Sequence, residues 1–251
     1  MVLQLKKLKI LIVFLYLGTH SMQSQVLLSL IFGDKLNSEG LEFGLEGGLN
    51  YSTISDTGNG NRLRDYNLGF YFDVTLKNRL HLDTGVLVKS SMGANNLTED
   101  NLDFLGIETE PQAGVYSQKI NYFIVPILLK YNFKNRIYIE GGPEIALMRN
   151  AHVEFNFEDN TEIIKLELKN TNKINRIDTG FSLGTGYKLM KNDGMTLGLK
   201  YYFGMIDVYK QKSGTKNNSL FLRLNVPIGA NAAKKKRENK SQLENRKSHE
   251  K

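Results

Sequence analysis

YNLGFYFDVTLKNRLHLDTGVLVKSS, residues 66–91, decides the fold. It contains two runs in which nearly every second residue is apolar, joined by the turn Lys77-Asn78-Arg79. Such alternation is typical of paired antiparallel strands, because successive side chains of a strand point to opposite faces of the sheet. An inward apolar face would give a soluble sheet protein, whereas an outward apolar face requires lipid as the surrounding solvent.

The same alternation recurs along the chain, and helical periodicity is hard to find. It predicts eight strands, each bounded by turn residues or polar loops. Their predicted ranges are 41–53, 66–77, 80–90, 117–132, 136–148, 176–190, 195–206 and 219–229. Pro126 and Pro143 fall inside two of them, and because proline has no N–H for the ladder, each predicts a bulge, a kink or a strand end.

Short and long connections alternate strictly. The turns around Asn78, Asn135 and Asn192 are tight, whereas the other four connections are long and polar. In an up-and-down barrel this places the tight turns and both chain ends at one rim and the long loops at the other. The long connections are 54–65, 93–116, 149–175 and 209–218.

The length and the side-chain chemistry of the strands favour an outward apolar face. Most strands have about ten residues or more, which suits a tilted crossing of hydrocarbon. Aromatic residues also cluster toward strand ends, as in an interfacial belt. Charges of both signs share the opposite face and predict a structural charge network inside a narrow barrel. The predicted network comprises Glu42, Glu46, Asp73, His81, Asp83, Lys89, Lys130, Glu140, Glu144, Arg176, Asp178, Lys188, Lys200 and Arg223. The fold prediction is therefore an all-β, eight-stranded antiparallel up-and-down transmembrane β-barrel.

The N-terminus predicts export. Lys6, Lys7 and Lys9 precede the apolar run 10–17 and a small, polar segment, as in a secretory signal peptide cleaved near residues 21–25. The apolar run is too short to span a bilayer as a helix. The chain has no cysteine, which excludes disulfides, thiolate metal sites and cysteine nucleophiles.

The net charge of +7 comes from the two ends of the chain. Residues 26–233 contain 22 basic and 23 acidic residues, so the body of the protein is nearly neutral. The excess of positive charge lies in the tail, where polar composition predicts disorder. No basic face with aromatic platforms is evident, so nucleic acid is excluded as a partner.

Several strand motifs resemble the outer-membrane β-barrel domain family often labelled PorT-like. The resemblance rests on FGLEGGLNYS at 43–52, LHLDTGVLVKS at 80–90, NYFIVPILLKYNF at 121–133, IYIEGGPEIALM at 137–148 and GFSLGTGYKL at 180–189. It covers roughly residues 41–229 and implies an eight-stranded outer-membrane barrel, mostly without an assigned role. The chain departs from the common outer-membrane pattern of ending on an aromatic strand, since its last strand ends at Pro227-Ile228-Gly229.

Motifs for chemistry are few. His81 and Asp83 share one face of a strand, so a membrane-embedded hydrolase or transferase is one alternative function. A secreted, lipocalin-like carrier with its apolar face inside is the other. Neither residue has a nucleophile or metal partner declared by the sequence, so we predict a non-enzymatic protein without cofactor or metal, with a structural or binding role.

The domain prediction follows from these segments. It comprises a signal peptide (1–25), an N-terminal lead-in (26–40), the outer-membrane barrel (41–229) and a basic disordered tail (230–251) on the periplasmic side. The lipid bilayer is the predicted partner, with an unidentified ligand or protein at loops 93–116 and 149–175, and the predicted state is a monomer. Residues 151–170 alternate on either side of Asp159-Asn160, which suggests that the flanking strands continue as a protruding hairpin or an extended loop.

Overall fold

The structure, a computed structural model, describes residues 40–57, 62–159, 162–189 and 194–228. The predicted signal peptide, residues 26–39 of the lead-in and the basic tail lie outside the described residues. Within them, one α-helix, α1 (Glu99–Leu105), follows the third strand, and a 3-10 turn (Thr171–Lys173) follows the sixth. The strands are β1 (Leu41–Ile54), β2 (Leu63–Lys77), β3 (Leu80–Ala94), β4 (Gly114–Asn132), β5 (Ile137–Asp159), β6 (Glu162–Lys169), β7 (Ile177–Lys188), β8 (Thr196–Asp207) and β9 (Lys216–Pro227).

Eight of the strands form a closed antiparallel ring, which confirms the predicted barrel. Neighbours pair in the order β4-β3-β2-β1-β9-β8-β7-β5, and a further pairing between β4 and β5 closes the ring. Closure gives each of these eight strands two neighbours, so the ring has no free edge in hydrocarbon. The chain divides into the unit Gly44–Val226 and a second unit made of the two chain ends. In that second unit, the Ile228 amide donates to the Phe43 carbonyl at 2.9 Å.

The two faces of the ring have the predicted orientation. Leu183 and Leu68 are 54% and 49% exposed, whereas Lys200 and Glu144 on the opposite face are 1% and 0% exposed. In water this arrangement would be inverted, because burying leucine is favourable whereas burying ionised groups is costly. Apolar side chains therefore face outward along residues 137–147 of β5 and 177–187 of β7, close to the about 9–11 residues that a tilted strand needs to cross a bilayer.

The connections differ from the predictions at the long-loop rim. β5 continues to Asp159, as the hairpin prediction required, and pairs with β6 from Asp159↔Glu162 to His152↔Lys169. However, β6 is a strand separate from β7, which begins at Ile177 after the 3-10 turn. On the other side of β5, β4 begins at Gly114 and pairs with this same extension of β5. The sheet β4-β5-β6 therefore rises above the rest of the ring.

Helix α1 was not predicted. It lies within the loop between β3 and β4, and its first turn carries Glu99 and Asp100, which suit the positive end of the helix dipole. Gly106 ends it in the left-handed conformation at φ 70°, where glycine has no steric penalty. Among the described residues, no helix has both the length and the apolar character to span a bilayer.

The two prolines interrupt one seam without ending a strand. Paired residues in the β4–β5 ladder step from Pro126↔Glu144 to Leu129↔Gly141, so the pairing lapses beside Pro143. Both residues lack the N–H that would continue the ladder. The Thr84 hydroxyl donates to the Pro126 carbonyl at 2.7 Å, which satisfies one of the acceptors left at this point.

Candidate functional site

The lower interior of the ring, toward the tight turns, is organised around Arg223 of β9. Its Nε and Nη2 donate to both carboxylate oxygens of Glu46 at 2.8 and 2.7 Å. Nη1 donates to Glu140, and Nη2 also reaches Asp83 at 3.4 Å. Arg223 is 2% exposed. The planar guanidinium suits this role because its donors can engage several carboxylates in fixed geometry.

A second cation, Lys130 of β4, joins the strands β2 and β3. Its Nζ donates to Asp73 at 2.9 Å and to Asp83 at 3.0 Å. Asp83 therefore lies between Lys130 and Arg223, and the two clusters form one network. His81 Nδ1 lies 2.5 Å from Asp73 Oδ1, across the β2–β3 pair. His81 and Asp83, which share one face of β3, do not pair with each other, because Asp83 is turned toward the two cations.

Two further groups occupy the middle of the ring. Lys200 Nζ lies 2.5 Å from Glu144 Oε1, with both side chains fully buried. Asp178 accepts hydrogen bonds from Tyr202 Oη at 2.9 Å and from Asn217 Nδ2 at 2.6 Å. Asp178 is thus held by neutral donors rather than by a cation. Its partners Tyr202 and Asn217 were not predicted, because a tyrosine or asparagine on the polar face of a strand carries no charge signal.

Four members of the predicted network lie elsewhere. Lys89 and Arg176 are exposed, and Glu42 and Lys188 are half-buried near strand ends. Lys89 faces outward because β3 contains a bulge: the pairing with β4 moves from Leu87↔Ile124 to Ser90↔Tyr122, so one extra residue shifts the alternation. Arg176 precedes β7 and lies outside the strand. Lys89 and Arg176 are therefore not interior residues, contrary to the prediction.

The upper interior, toward the long loops, is mainly apolar and also holds the hydrogen-bonded pair Gln118 and Asn170. Tyr116 and Phe155 stack there with their ring centroids 4.3 Å apart, and Leu102 and Leu105 of α1 belong to the same buried cluster. Helix α1 is tied to the neighbouring loops, since Asn101 donates to the Thr57 carbonyl at 2.9 Å and accepts from Lys212 at 3.1 Å. The loop between β3 and β4 therefore folds over this end of the interior.

The outer face of the β4-β5-β6 sheet is polar and lines a cleft of about 590 Å³. Within it, Glu154 contacts Lys165 Nζ at 2.8 Å and His152 Nε2 at 3.0 Å, and Lys165 also contacts Glu167 at 2.9 Å. Hydrogen bonds to Glu154 and Glu167 raise the pKa of Lys165. The hydrogen bond from Lys165 lowers the pKa of Glu167. The sequence places His152 and Glu154 on one face of a strand. Their neighbours on β6, Lys165 and Glu167, depend on the register of the hairpin.

The same three residues, His152, Glu154 and Glu167, are the candidate metal ligands in the described part of the chain. Their donor atoms lie within 4.8 Å of one another. Imidazole with two carboxylates is a donor set that suits zinc. However, the ammonium group of Lys165 already bridges both carboxylates, so a metal ion would have to displace it. The arrangement is therefore a complete ion-pair cluster without an added cation.

A family model described as outer membrane protein beta-barrel domain matches residues 23–210. No curated protein sequence gives a significant match. Among solved structures, the chain is similar to Ail, the attachment invasion locus protein of Yersinia pestis, with 10% identity over 74% of this chain and 97% of that chain and a TM-score of 0.39. It is also similar to Neisserial surface protein A, with 9% identity over 74% and 96% of the two chains and a TM-score of 0.36. For OprG from Pseudomonas aeruginosa the values are 10% identity, 75% and 93%, and a TM-score of 0.31.

Proposed function

Because the chain belongs to the outer membrane protein β-barrel domain family, we propose that it is a closed, non-enzymatic barrel that acts by structural support or by binding at its long-loop end. The observation that carries the proposal is the filled and internally paired interior. Arg223, Tyr122, Tyr138, Tyr202 and Phe221 are among the largest fully buried side chains. An eight-stranded ring has room for such side chains but not for a solute channel beside them.

The long-loop end is the binding end in this proposal. It carries α1, the β5–β6 hairpin and the cleft on its outer face, whereas the opposite rim has tight turns such as Lys77–Leu80. Loops held by a rigid scaffold are the usual place for binding residues. The loops 93–116 and 149–175 therefore remain the proposed contact regions for a ligand or protein.

The two alternative functions have less support. A lipocalin-like carrier would enclose its apolar face, whereas Leu183, Leu68 and Met205 are about half exposed or more, at 54%, 49% and 63%. An enzyme built on His81 and Asp83 would need the two groups to act together, yet Asp83 is held by Lys130 and Arg223. His81 faces Asp73 instead, which suits a structural contact inside the network.

The remaining parts of the proposal concern export and affiliation. We propose that residues 1–25 are a signal peptide, that 26–40 lead into the barrel at 41–229, and that the basic tail 230–251 lies in the periplasm. Support comes from the lysines, the apolar run and the charge distribution of the sequence. The strand motifs that resemble PorT-like domains support membership of that narrower group. We further propose that the barrel is a monomer in the bilayer.

Cell fractionation combined with vesicle permeability tests the proposal. The mature chain should appear in the outer membrane and should migrate differently on gels before and after boiling, as a folded barrel does. Small sugars should enter vesicles that contain the protein no faster than they enter protein-free vesicles. Recovery in the soluble periplasm would refute the membrane assignment, and rapid sugar uptake would refute the closed interior.

A further inference from the structure

Two bulges lie at the same level on the outer face of the sheet, one on each side of β4. In β3 the pairing with β4 moves from Leu87↔Ile124 to Ser90↔Tyr122, and in β5 it moves from Asn121↔Asn150 to Tyr122↔Met148. Each bulge adds one residue to its strand and changes where the neighbouring side chains point. The residues that become exposed are Lys89 in β3 and Arg149 in β5.

Both cations stand on exposed aromatic rings at the edge of the apolar belt. Lys89 Nζ lies 4.1 Å from the centroid of the Tyr66 ring and donates to its hydroxyl group. The guanidinium of Arg149 lies 5.1 Å from the centroid of the Phe123 ring. Aromatic residues at this position mark the boundary between hydrocarbon and headgroups. Lys89 and Arg149 therefore lie at the depth of the lipid headgroups.

Between the two cations, a chain of hydrogen bonds crosses the three strands. Ser91 donates to Asn121 at 2.6 Å, and Asn121 donates to Asn150 at 2.6 Å. These three residues line the same cleft as Lys89 and Arg149. Since β4 separates the two bulged strands, the Cα atoms of the cations are roughly 10 Å apart, twice the strand spacing. The floor is thus polar and the two ends are positive.

The charge of this cleft favours an anion. Its lining contains the cations Lys89, Lys119, Arg149, Lys165 and Lys169, which exceed its three carboxylates by two. Lys119 is paired with Asp65 at 2.7 Å and lies 3.8 Å from Glu154, and Lys165 is paired with Glu154 and Glu167. Among the described residues, the three cleft cations without an ion-pair partner are Lys89, Arg149 and Lys169. Lys169 lies on β6 opposite His152, above the two bulges, so Lys89 and Arg149 are the unpaired cations next to the apolar belt.

We infer that this cleft binds the phosphate groups of an outer-leaflet lipid headgroup, with Lys89 and Arg149 as the contacting cations and Asn121 as a neutral hydrogen-bonding group between them. The inference rests on the proposed function, because it takes the long-loop end as the cell-surface end. A lipid fits better than a soluble anion because the cations border the hydrocarbon belt, so that acyl chains can lie against Leu68 and Leu147, which are 49% and 45% exposed. A membrane-anchored headgroup is also held at high local concentration beside the cleft.

The test compares three probes in detergent micelles that contain the refolded protein: lipid A with two phosphates, its monophosphoryl derivative and inorganic phosphate. The test variant is Lys89→Gln with Arg149→Gln. The matched control is Lys134→Gln with Arg136→Gln at the opposite rim, where Arg136 also stands on an aromatic ring, Tyr187. Both double variants lose two positive charges. Titration calorimetry gives the dissociation constants.

Wild type and control should bind the bisphosphorylated lipid most tightly, and the Lys89/Arg149 variant should bind it about tenfold more weakly because charge-assisted hydrogen bonds to phosphate are lost. Equal affinity of the test and control variants would overturn the inference. Equal binding of inorganic phosphate would also overturn it, in favour of a soluble anion. The heat-dependent gel shift of each variant separates the two hypotheses: a folded, inserted barrel without lipid binding contradicts the cleft assignment alone, whereas a chain that never inserts contradicts the proposed function.

Discussion

Replacing Arg223 by methionine should remove the strongest single constraint in the interior. Methionine retains an unbranched apolar stem but donates no hydrogen bond, so the carboxylates of Glu46, Glu140 and Asp83 lose a shared cation. All three carboxylates are at most 5% exposed, and water cannot easily take the place of the guanidinium. Removing one partner of a buried ion pair costs about 3–5 kcal/mol. We therefore expect the free energy of unfolding to fall by about this amount.

The assay is urea unfolding of the barrel in detergent micelles. The protein has no tryptophan, so far-ultraviolet circular dichroism and the heat-dependent gel shift should follow the transition. Arg176→Met is the matched control, because Arg176 is exposed and its loss should change stability by no more than about 0.5 kcal/mol. The double variant with Glu46→Leu should be less destabilised than the sum of the two single variants by about 1 kcal/mol or more. A loss below about 1 kcal/mol for Arg223→Met, or simple additivity in the double variant, would refute the argument that the network depends on Arg223.

Three further outcomes are expected. Replacing Lys200 alone by methionine should destabilise the barrel by about 3–5 kcal/mol, whereas the double change with Glu144→Leu should recover most of that loss; similar unfolding midpoints for the two variants would contradict this. In intact cells, a protease specific for glutamate should cut first within the exposed, irregular segment 108–113, and first cuts at the tight turns would show that the orientation is inverted. Burial raises the pKa of Glu154, but hydrogen bonds from Lys165 and His152 outweigh it, so that the pKa is lowered. The stabilising effect of Glu154 is present above the ordinary value of 4.5 and is lost as the pH falls through the lowered value, so the amide-exchange protection factors of β6 should fall only below about pH 4.5; protection factors that stay constant down to the acid side of that value would exclude this role.

The architecture of the ring could be predicted because its two faces repeat every two residues. A strand such as β7 alternates without interruption, so its inner and outer side chains follow directly from the sequence. The periodicity fails where the backbone itself is irregular. The bulge beside Lys89 adds one residue to β3, and no composition signal marks that insertion. The side chain of Lys89, predicted to face inward, is therefore exposed on the outer face instead.

Elements at the long-loop rim were harder to predict for two different physical reasons. Helix α1 is only seven residues long, too short for a helical period to emerge, although Thr98, the acidic first turn and Gly106 were usable boundary signals. The strand β6 is defined by its pairing with β5, a contact between residues that face each other across a turn. The alternation on either side of Asp159-Asn160 predicted this hairpin, but only the pairing register shows where β6 ends and β7 begins.

The interior contacts also depended on information that a single strand does not contain. The sequence indicates which charges share the inner face, but the partners of each cation are set by the order and tilt of the strands around the ring. His81 illustrates this, since its neighbour two residues away is less important than Asp73 on the adjacent strand. Tyr202 and Asn217 show, in addition, that neutral groups also hold an interior carboxylate, that of Asp178.

The position of Arg223 in the order of synthesis has a consequence for assembly. It lies on β9, the last strand of the ring to be made, whereas its three carboxylate partners come from β1, β3 and β5. Until β9 is in place, those carboxylates lack the arginine that neutralises them, and an open sheet would present them to hydrocarbon. Insertion and completion of the chain are therefore linked: we expect that a truncated protein that stops before residue 216, and so lacks β9 between β1 and β8, does not form a stable partial sheet in the bilayer.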